Sequence, residues 1–355
     1  MASETRAPRE GEELNAPALD AFLRGALPAF DGTSSVRQFP GGASNLTYLI
    51  SAGDQDYVLR RPPFGTKAAS AHDMEREYRI LSALHPVYPY CPRPVAWCGD
   101  ATVLGEPFYL MEKLPGTILR RELPDGLALD EGAAAALCRN LLDVHLELHT
   151  VDYAAAGLED FGKPEGYVGR QVHGWSKRYR AAHTEDVPDN EELMTWLAAQ
   201  MPADDPRPAL IHNDYKFDNV VLENRTGGLR IIGVLDWEMA TLGDPLMDLG
   251  CSLAYWIEAA DPPEMMAARM MPTHLPGMMT RRELIAYYLE RADRAGVSFD
   301  FYYAFGLFRL AAIVQQIYVR FVRGQTTDRR FASFGQLCTI LSRRAAAVAG
   351  GTASI

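Results

Sequence analysis

Residues 210–223 read "LIHNDYKFDNVVLE". Asp214, Lys216, Asp218 and Asn219 fall within six residues, between two apolar runs. Such side chains suit an ordinary surface turn, or a loop that holds a metal, a phosphate or a hydroxyl. A second polar segment favours the site. In "VLDWEMATLGDPLMDLG", residues 234–250, Asp236 directly follows the apolar run "IIGVL", and Glu238, Asp244 and Asp248 come after it. A carboxylate at a strand end is where loops commonly build sites. Magnesium prefers oxygen ligands and keeps several waters, so Asn219 and Asp236 would suffice without a full protein cage. Asp214 is suited to a different task, receiving a hydroxyl proton. These two jobs suit phosphoryl transfer.

Composition narrows the classes. At 48% hydrophobic and 23% charged residues, the chain reads as an ordered globular protein. A net charge of −11 with no long basic block argues against a nucleic-acid binder. The five cysteines, Cys91, Cys98, Cys138, Cys251 and Cys338, form no close ligand pairs and read as reduced thiols. "MASETRAPREGEEL" has no hydrophobic leader. Residues 301–321, "FYYAFGLFRLAAIVQQIYVRF", are interrupted by Arg309, Gln315 and Gln316 and read as a buried helix rather than a membrane span. A cytoplasmic protein is the resulting expectation.

Periodicity divides the chain in two. "NAPALDAFLRGAL" reads as a helix; "LTYLI" and "YVLR" read as strands around the turn "SAGDQD". "AAHDMEREYRILSAL" is helical, and "PRPVAWCGD" and "FYLMEKLPG" are strand-like. After Gly116 helices dominate, interrupted by a short strand block that carries the two polar segments. The expected class is α+β, with an antiparallel sheet in the first part. Residues 1–15 are expected as a polar tail, 16–113 as a sheet-rich lobe with a hinge near 111–117, 114–345 as a helical lobe, and 346–355 as a flexible tail.

"HNDYKFDN" resembles the catalytic loop of the aminoglycoside phosphotransferase and choline kinase superfamily, and "LDWEMATLGDPLMDLG" resembles the metal-binding segment that follows it. The resemblance implies a bilobal protein-kinase-like fold, with ATP and Mg2+ as cofactors. It makes Asp214 the catalytic aspartate and Asn219 and Asp236 the magnesium ligands. His212 is then an organiser of the loop backbone and Asp248 a structural acid that braces it. "FPGGASNLTY" resembles the nucleotide loop, with Gly42 and Ser44 near phosphate. "YVLRRPP" stands where a strand usually supplies a lysine; Arg60 is the better match, with Arg61 one register away. Glu77 resembles the acid paired with that base, and Glu75 is the near alternative. "FYLMEKLPG" resembles the hinge, placing the adenine edge near backbone groups of Glu112 and Leu114.

For the acceptor, "GYVGRQVHGWSKRY" resembles a branch that includes the kinase-like domain of some acyl-CoA dehydrogenase family members. That branch implies phosphorylation of a hydroxyacyl-CoA by a stand-alone version working beside a separate acyl-CoA dehydrogenase. Candidate acceptor contacts are His173, Trp175, Lys177 and Arg178, with Arg320 and Arg323 after the long apolar helix. Two alternatives stay open: an aminoglycoside or other small-alcohol kinase, and a non-enzymatic nucleotide-binding scaffold.

Overall fold

In a computed structural model, residues 5–40, 45–63, 73–226, 228–326 and 328–355 are described. The chain is bilobal α+β and divides into two units: residues 1–117 with 156–158 and 232–238, and residues 118–155, 159–231 and 239–355.

The first unit comprises α1 (Ala16–Ala26), β1 (Ser35–Gln38), β2 (Leu46–Ala52), β3 (Gln55–Arg61), α2 (Met74–Leu84), β4 (Pro94–Cys98), α3 (Ala101–Leu104) and β5 (Phe108–Glu112). The strands form one five-stranded sheet, in the order β1-β2-β3-β5-β4, and every pairing is antiparallel. The β2–β3 hairpin closes through Gly53, whose φ of 61° a residue without a Cβ adopts readily. β2 alternates buried and half-buried residues, so Leu46, Tyr48 and Ile50 face one way and join Leu19, Leu23, Leu59 and Phe108 in a core. Asp73 caps α2 by accepting from the Arg76 N–H.

Residues 5–14, expected to be part of a polar tail, are instead laid along the sheet. Arg6 bridges to Gln38, the Gln38 amide donates to Glu12, and the Tyr48 hydroxyl donates to the Glu12 carbonyl. Buried polar groups on β1 and β2 find their partners there. The segment is mostly polar, and hydrogen bonds hold it, with Leu14 packing at the edge of the core.

The second unit contains α4 (Glu131–Thr150), α5 (Tyr167–Ala182), α6 (Glu191–Ala199), β6 (Ala209–Ile211), β7 (Val220–Arg225), the start of β8 (Gly228–Val234), β9 (Thr241–Gly243), α7 (Pro245–Leu253), α8 (Pro263–Ala267), α9 (Arg281–Arg291), α10 (Asp300–Val322) and α11 (Phe334–Ala349). α11 runs to Ala349, past the expected start of a flexible tail at 346. α10 is long and apolar enough by composition to cross a membrane. Here its aromatic run is buried, from Phe301 to Phe308, among the other helices.

The contact of α7 with α10 depends on two glycines. A Cβ on Gly306 would meet the Gly250 carbonyl oxygen at 2.1 Å, and a Cβ on Gly250 would meet the Tyr302 carbonyl oxygen at 2.3 Å. Only two residues without side chains allow this backbone approach. About one turn beyond Gly306 on α10 stands Arg309, close enough to the Cys251 thiol of α7 to act on it electrostatically.

Candidate active site

Each unit carries a polar constellation. In the first, β3 presents Arg60 and Arg61 on opposite faces of the sheet, as successive strand residues must be. Arg60 turns toward α2, where its Nη1 lies 2.9 Å from Glu77 Oε1. Its Nη2 lies 2.9 Å from Asp236 Oδ1 and 3.7 Å from Glu238 Oε2. Glu238 in turn accepts from the Asn45 amide at 2.8 Å. Glu77 is buried and Glu75 is exposed, so Glu77 is the partner of Arg60. Burial opposes the Arg60 charge, but Glu77, then Asp236 and Glu238, hold its pKa well above the ordinary value. The same burial pushes the Glu77 carboxyl up, offset in part by Arg60. Arg61 is committed elsewhere, donating to the Leu104 carbonyl at 2.8 Å and the Pro62 carbonyl at 3.1 Å.

Asp236 follows β8 with φ of 67°, a conformation uncommon outside glycine and often found at functional positions. Its side chain is 35% exposed, which leaves the carboxylate accessible. At the expected hinge, the Glu112 N–H is engaged by the Arg93 carbonyl at 3.0 Å and its carboxylate by the Arg93 N–H at 2.7 Å. Glu112 therefore offers no spare N–H to a nucleotide. Leu114 is half-buried. Gly42 and Ser44 lie outside the described residues.

In the second unit the loop between β6 and β7 carries Asp214, and its shape is fixed from below by Asp248 on α7. Asp248 Oδ2 accepts from the His212 N–H at 2.8 Å, from His145 Nε2 at 2.9 Å and from His149 Nε2 at 3.1 Å. Its Oδ1 accepts from the Asn213 N–H at 2.6 Å. Asn213, with φ of 65°, is pinned further by the Tyr167 hydroxyl and by donating to the Met239 carbonyl. The His212 ring completes the turn, its Nδ1 accepting from the Asp214 N–H at 3.2 Å.

His145, His149 and Asp248 lie close enough together to hold a cation. Their hydrogen bonds describe a brace instead. The Asp248 carboxylate can only accept, so His149 carries its proton on Nε2, which leaves Nδ1 to accept from the Tyr288 hydroxyl at 2.6 Å. His145 Nδ1 is buried without a partner, as suits a lone pair rather than an N–H, and its ring stacks on Tyr215 at 4.1 Å. Burial would raise the Asp248 carboxyl, but the two imidazoles hold it well below its usual range.

Burial also pushes the His145 pKa down to about 4. That shift has a stability consequence. Between pH 6.5 and 4 the unfolded chain binds a proton at this histidine and the folded chain does not, so stability falls as pH falls across that window. The full effect is about 3 kcal/mol. Asp244, pushed up to about 6 by burial, opposes it over part of the same range. The measurement is therefore a difference: urea-unfolding free energies of wild type and His145→Gln from pH 7 to 4. The wild type is expected to lose stability more steeply, and parallel curves would refute the assignment.

Above this brace, the Asp214 carboxylate faces cationic and amide groups. Lys216 Nζ is ion-paired with Oδ2, and the Asn219 amide donates to the same oxygen at 2.8 Å and to the Asp214 carbonyl at 2.9 Å. Lys216 is nearly buried and sits 4.9 Å over the Tyr255 ring. Sequence reasoning gave Lys216 no role. Its spacing was the available signal, since two residues along an extended segment point the same way. Asp218 turns outward to Arg120 at 2.6 Å.

The candidate acceptor residues are exposed, with one exception. On α5, His173 is exposed and donates from Nδ1 to the Gly169 carbonyl of its own helix. Lys177 and Arg178 are exposed, and Arg178 covers the Trp175 ring at 4.6 Å. Arg320 and Arg323 are exposed at the end of α10. Trp175 is the exception. It is buried, and Arg309, which lies within electrostatic reach of Asp214, approaches its other side at 5.3 Å.

The profile of the Phosphotransferase enzyme family matches residues 35–284, which takes in both constellations. The chain belongs to this family. Its fold is the one shared by aminoglycoside phosphotransferases and choline kinases. The chain is 31% identical to the crystal structure of a protein provisionally named an aminoglycoside phosphotransferase from Ralstonia eutropha JMP134, with a TM-score of 0.79 over 96% of this chain and 99% of that one. Among curated proteins it is 35% identical to mouse acyl-CoA dehydrogenase family member 10 over 94% of its own length and 31% of the relative's. It is 34% identical to rat acyl-CoA dehydrogenase family member 11 over 87% of its own length and 40% of that protein. The chain thus spans 31% and 40% of these two curated relatives. Fold and family are those of nucleotide-dependent phosphotransferases.

Proposed function

We propose that the chain transfers the terminal phosphoryl group of ATP to a hydroxyl of an acyl-CoA, with 4-hydroxyacyl-CoA or a close relative as the acceptor. The observation that carries the transfer is the Asp214 carboxylate, held by Lys216 and Asn219 on a loop that Asp248 locks from beneath. The acceptor hydroxyl oxygen attacks the terminal phosphorus, the bond to the nucleoside diphosphate breaks, and the hydroxyl proton passes to Asp214. Phosphoryl transfer asks the protein chiefly for positioning and positive charge. Lys216 supplies charge next to the base, and Arg60 supplies it in the first unit.

Asn219 and Asp236 are proposed as the oxygen donors to magnesium, and their chemistry fits a hard cation. Magnesium, when bound, would neutralise phosphate charge. The acyl-CoA assignment rests on the named relatives, acyl-CoA dehydrogenase family members 10 and 11. On this reading Lys177 and Arg178, with Arg320 and Arg323, are exposed cations available to CoA phosphates. A separate acyl-CoA dehydrogenase is the proposed functional partner, and a cytoplasmic location goes with it.

Mass spectrometry after incubation with MgATP tests the reading. A phosphorylated hydroxyacyl-CoA is expected, with a CoA ester lacking the hydroxyl as the control. Turnover of an aminoglycoside but of no hydroxyacyl-CoA would overturn the acceptor assignment.

Arg60 and Arg61 separate nucleotide binding from folding. Arg60→Ala is expected to lower kcat/KM for ATP roughly 10- to 100-fold, the usual cost of losing hydrogen bonds to a charged partner. Arg60→Lys should keep more activity, although a lysine cannot span two carboxylates as a planar fork does. Arg61→Ala is expected to lower the melting temperature instead, because its bonds are to internal carbonyls. The reverse pattern in ATP kinetics would assign the phosphate role to Arg61.

A further inference from the structure

Four arginines are buried among the described residues: Arg60, Arg61, Arg281 and Arg309. Three of them have oxygen partners. Arg60 pairs with Glu77, Arg61 donates to two carbonyls, and Arg281 reaches Asp261 at 2.6 and 2.7 Å. Arg309 is 4% exposed and differs from the rest. Among the described residues no carboxylate oxygen lies within 4.0 Å of its guanidinium. Its neighbours are the Trp175 ring at 5.3 Å and the Cys251 thiol, with Tyr167 and Tyr255 close enough to act on its charge. A buried charge without an oxygen partner is costly, and such charges are normally paired. Burial opposes the Arg309 charge, but the groups around it, Asp214 among them, hold its pKa above the ordinary value.

Arg309 also lies within electrostatic reach of Asp214, and Tyr255 links the two. Tyr255 lies under Lys216, which is ion-paired with Asp214. Trp175 is held in place by its indole N–H donating to Gln171 at 3.1 Å. The α7–α10 glycine crossing fixes the height of Arg309 beside Cys251. A guanidinium that makes no hydrogen bond or ion pair to an oxygen of the described residues thus lies within electrostatic reach of the group that would receive the acceptor's proton.

We infer that Arg309 is an acceptor-binding residue, and that it takes an acyl carbonyl oxygen lying a few bonds from the reacting hydroxyl. The inference rests on the proposed phosphoryl transfer at Asp214 and sharpens its substrate class. A guanidinium fork suits a carbonyl or carboxylate oxygen, and holding it would orient a hydroxyl farther along the same chain toward Asp214. A buried cation at this place also disfavours a polyammonium sugar as acceptor, since like charges in a poorly solvated setting repel strongly. The site thereby selects hydroxylated acyl compounds over aminoglycosides.

The test compares two acceptors in MgATP assays: a 4-hydroxyacyl-CoA thioester and the matched thioether, which keeps the hydroxyl and CoA but lacks the carbonyl oxygen. Wild type is expected to prefer the thioester roughly 10- to 100-fold in kcat/KM, as for a hydrogen bond to a charged donor. Arg309→Met is expected to abolish that preference, lowering kcat/KM for the thioester roughly 10- to 100-fold more than for the thioether. Arg309→Lys should restore part of it.

Equal use of both acceptors by wild type overturns the inference even if Arg309→Met fails to fold. Equal losses on both acceptors in a folded Arg309→Met make Arg309 a mere support for Trp175 and Asp214, and also overturn it. Turnover of kanamycin with none of either CoA compound rejects the acyl-CoA reading itself, and the inference with it. Preference for the thioester in wild type, unchanged in Arg309→Met, keeps the acyl-CoA reading and rejects Arg309 alone.

Discussion

Asp214→Asn is expected to lower kcat for phosphoryl transfer by about 10²- to 10⁴-fold, the range for loss of a positioned general base. The substitution preserves shape. The amide oxygen of the variant can still accept from the Asn219 amide and from Lys216, which both converge on one oxygen of the native carboxylate. The loop is held through the backbone N–H groups of His212 and Asn213, not through the Asp214 side chain, so it should keep its course. What disappears is the acceptor for the hydroxyl proton, together with the negative charge that offsets the nearly buried Lys216. Nucleotide affinity, measured by calorimetry without acceptor, should stay within several-fold. Asp218→Asn is the matched control. Asp218 pairs at the surface with a largely exposed Arg120, and such pairs contribute little. Near-normal turnover in Asp214→Asn would remove the general-base role, and a comparable loss in Asp218→Asn would mean that the loop's net charge matters more than the position of Asp214.

Much of this was legible in the sequence, for reasons that differ by residue. The strands of the first unit announced themselves by alternation, and Gly53 marked the hairpin. The polar segments were readable because they interrupt apolar runs at strand ends. Arg60 could be placed toward Glu77 only by strand register; the sheet fixes the register by pairing Arg60 with Thr47 and Tyr109.

Other features needed the fold. His145 and His149 sit on α4, about a hundred residues before the Asp248 they serve, and on α4 they read only as two histidines four apart. Residues 5–14 were misjudged because their partners, Gln38 and Tyr48, are remote and polar. Lys216 was visible in the quoted loop but lacked a partner until the loop folded. Arg309 was noticed only as an interruption of an apolar helix. A charge in such a run is a warning sign, yet its meaning depends on whether an oxygen partner waits across the packing. Gly250 and Gly306 gave no local signal, since nothing near either one predicts that two helix backbones will touch there.

Asp248→Asn should damage stability and activity together, and for one reason. The native carboxylate accepts four N–H groups, two from imidazoles and two from the backbone that leads into Asp214. All four lie in the interior, so water cannot replace a lost acceptor. An asparagine can serve donors on its oxygen but turns an NH2 toward those on the other side, where N–H would face N–H. Leaving one buried donor unsatisfied costs about 1–3 kcal/mol, and a network held through a charged acceptor sits at the upper end. A loss of about 3 kcal/mol is therefore expected, which for a chain of this size lowers the melting temperature by about 4 °C. Turnover should fall as well even well below that temperature, because the His212–Asn213 backbone would no longer fix the height of Asp214, and small misplacements of a reacting group are costly. The acid sensitivity assigned to His145 should grow in this variant, since the carboxylate that favours the protonated imidazole is gone and burial then depresses the histidine further. Calorimetry, single-turnover kinetics on the folded fraction and a pH series of unfolding free energies read the three effects separately. A wild-type melting temperature with wild-type turnover would mean that the loop is held by the Tyr167 and Met239 contacts to Asn213 and that Asp248 is dispensable.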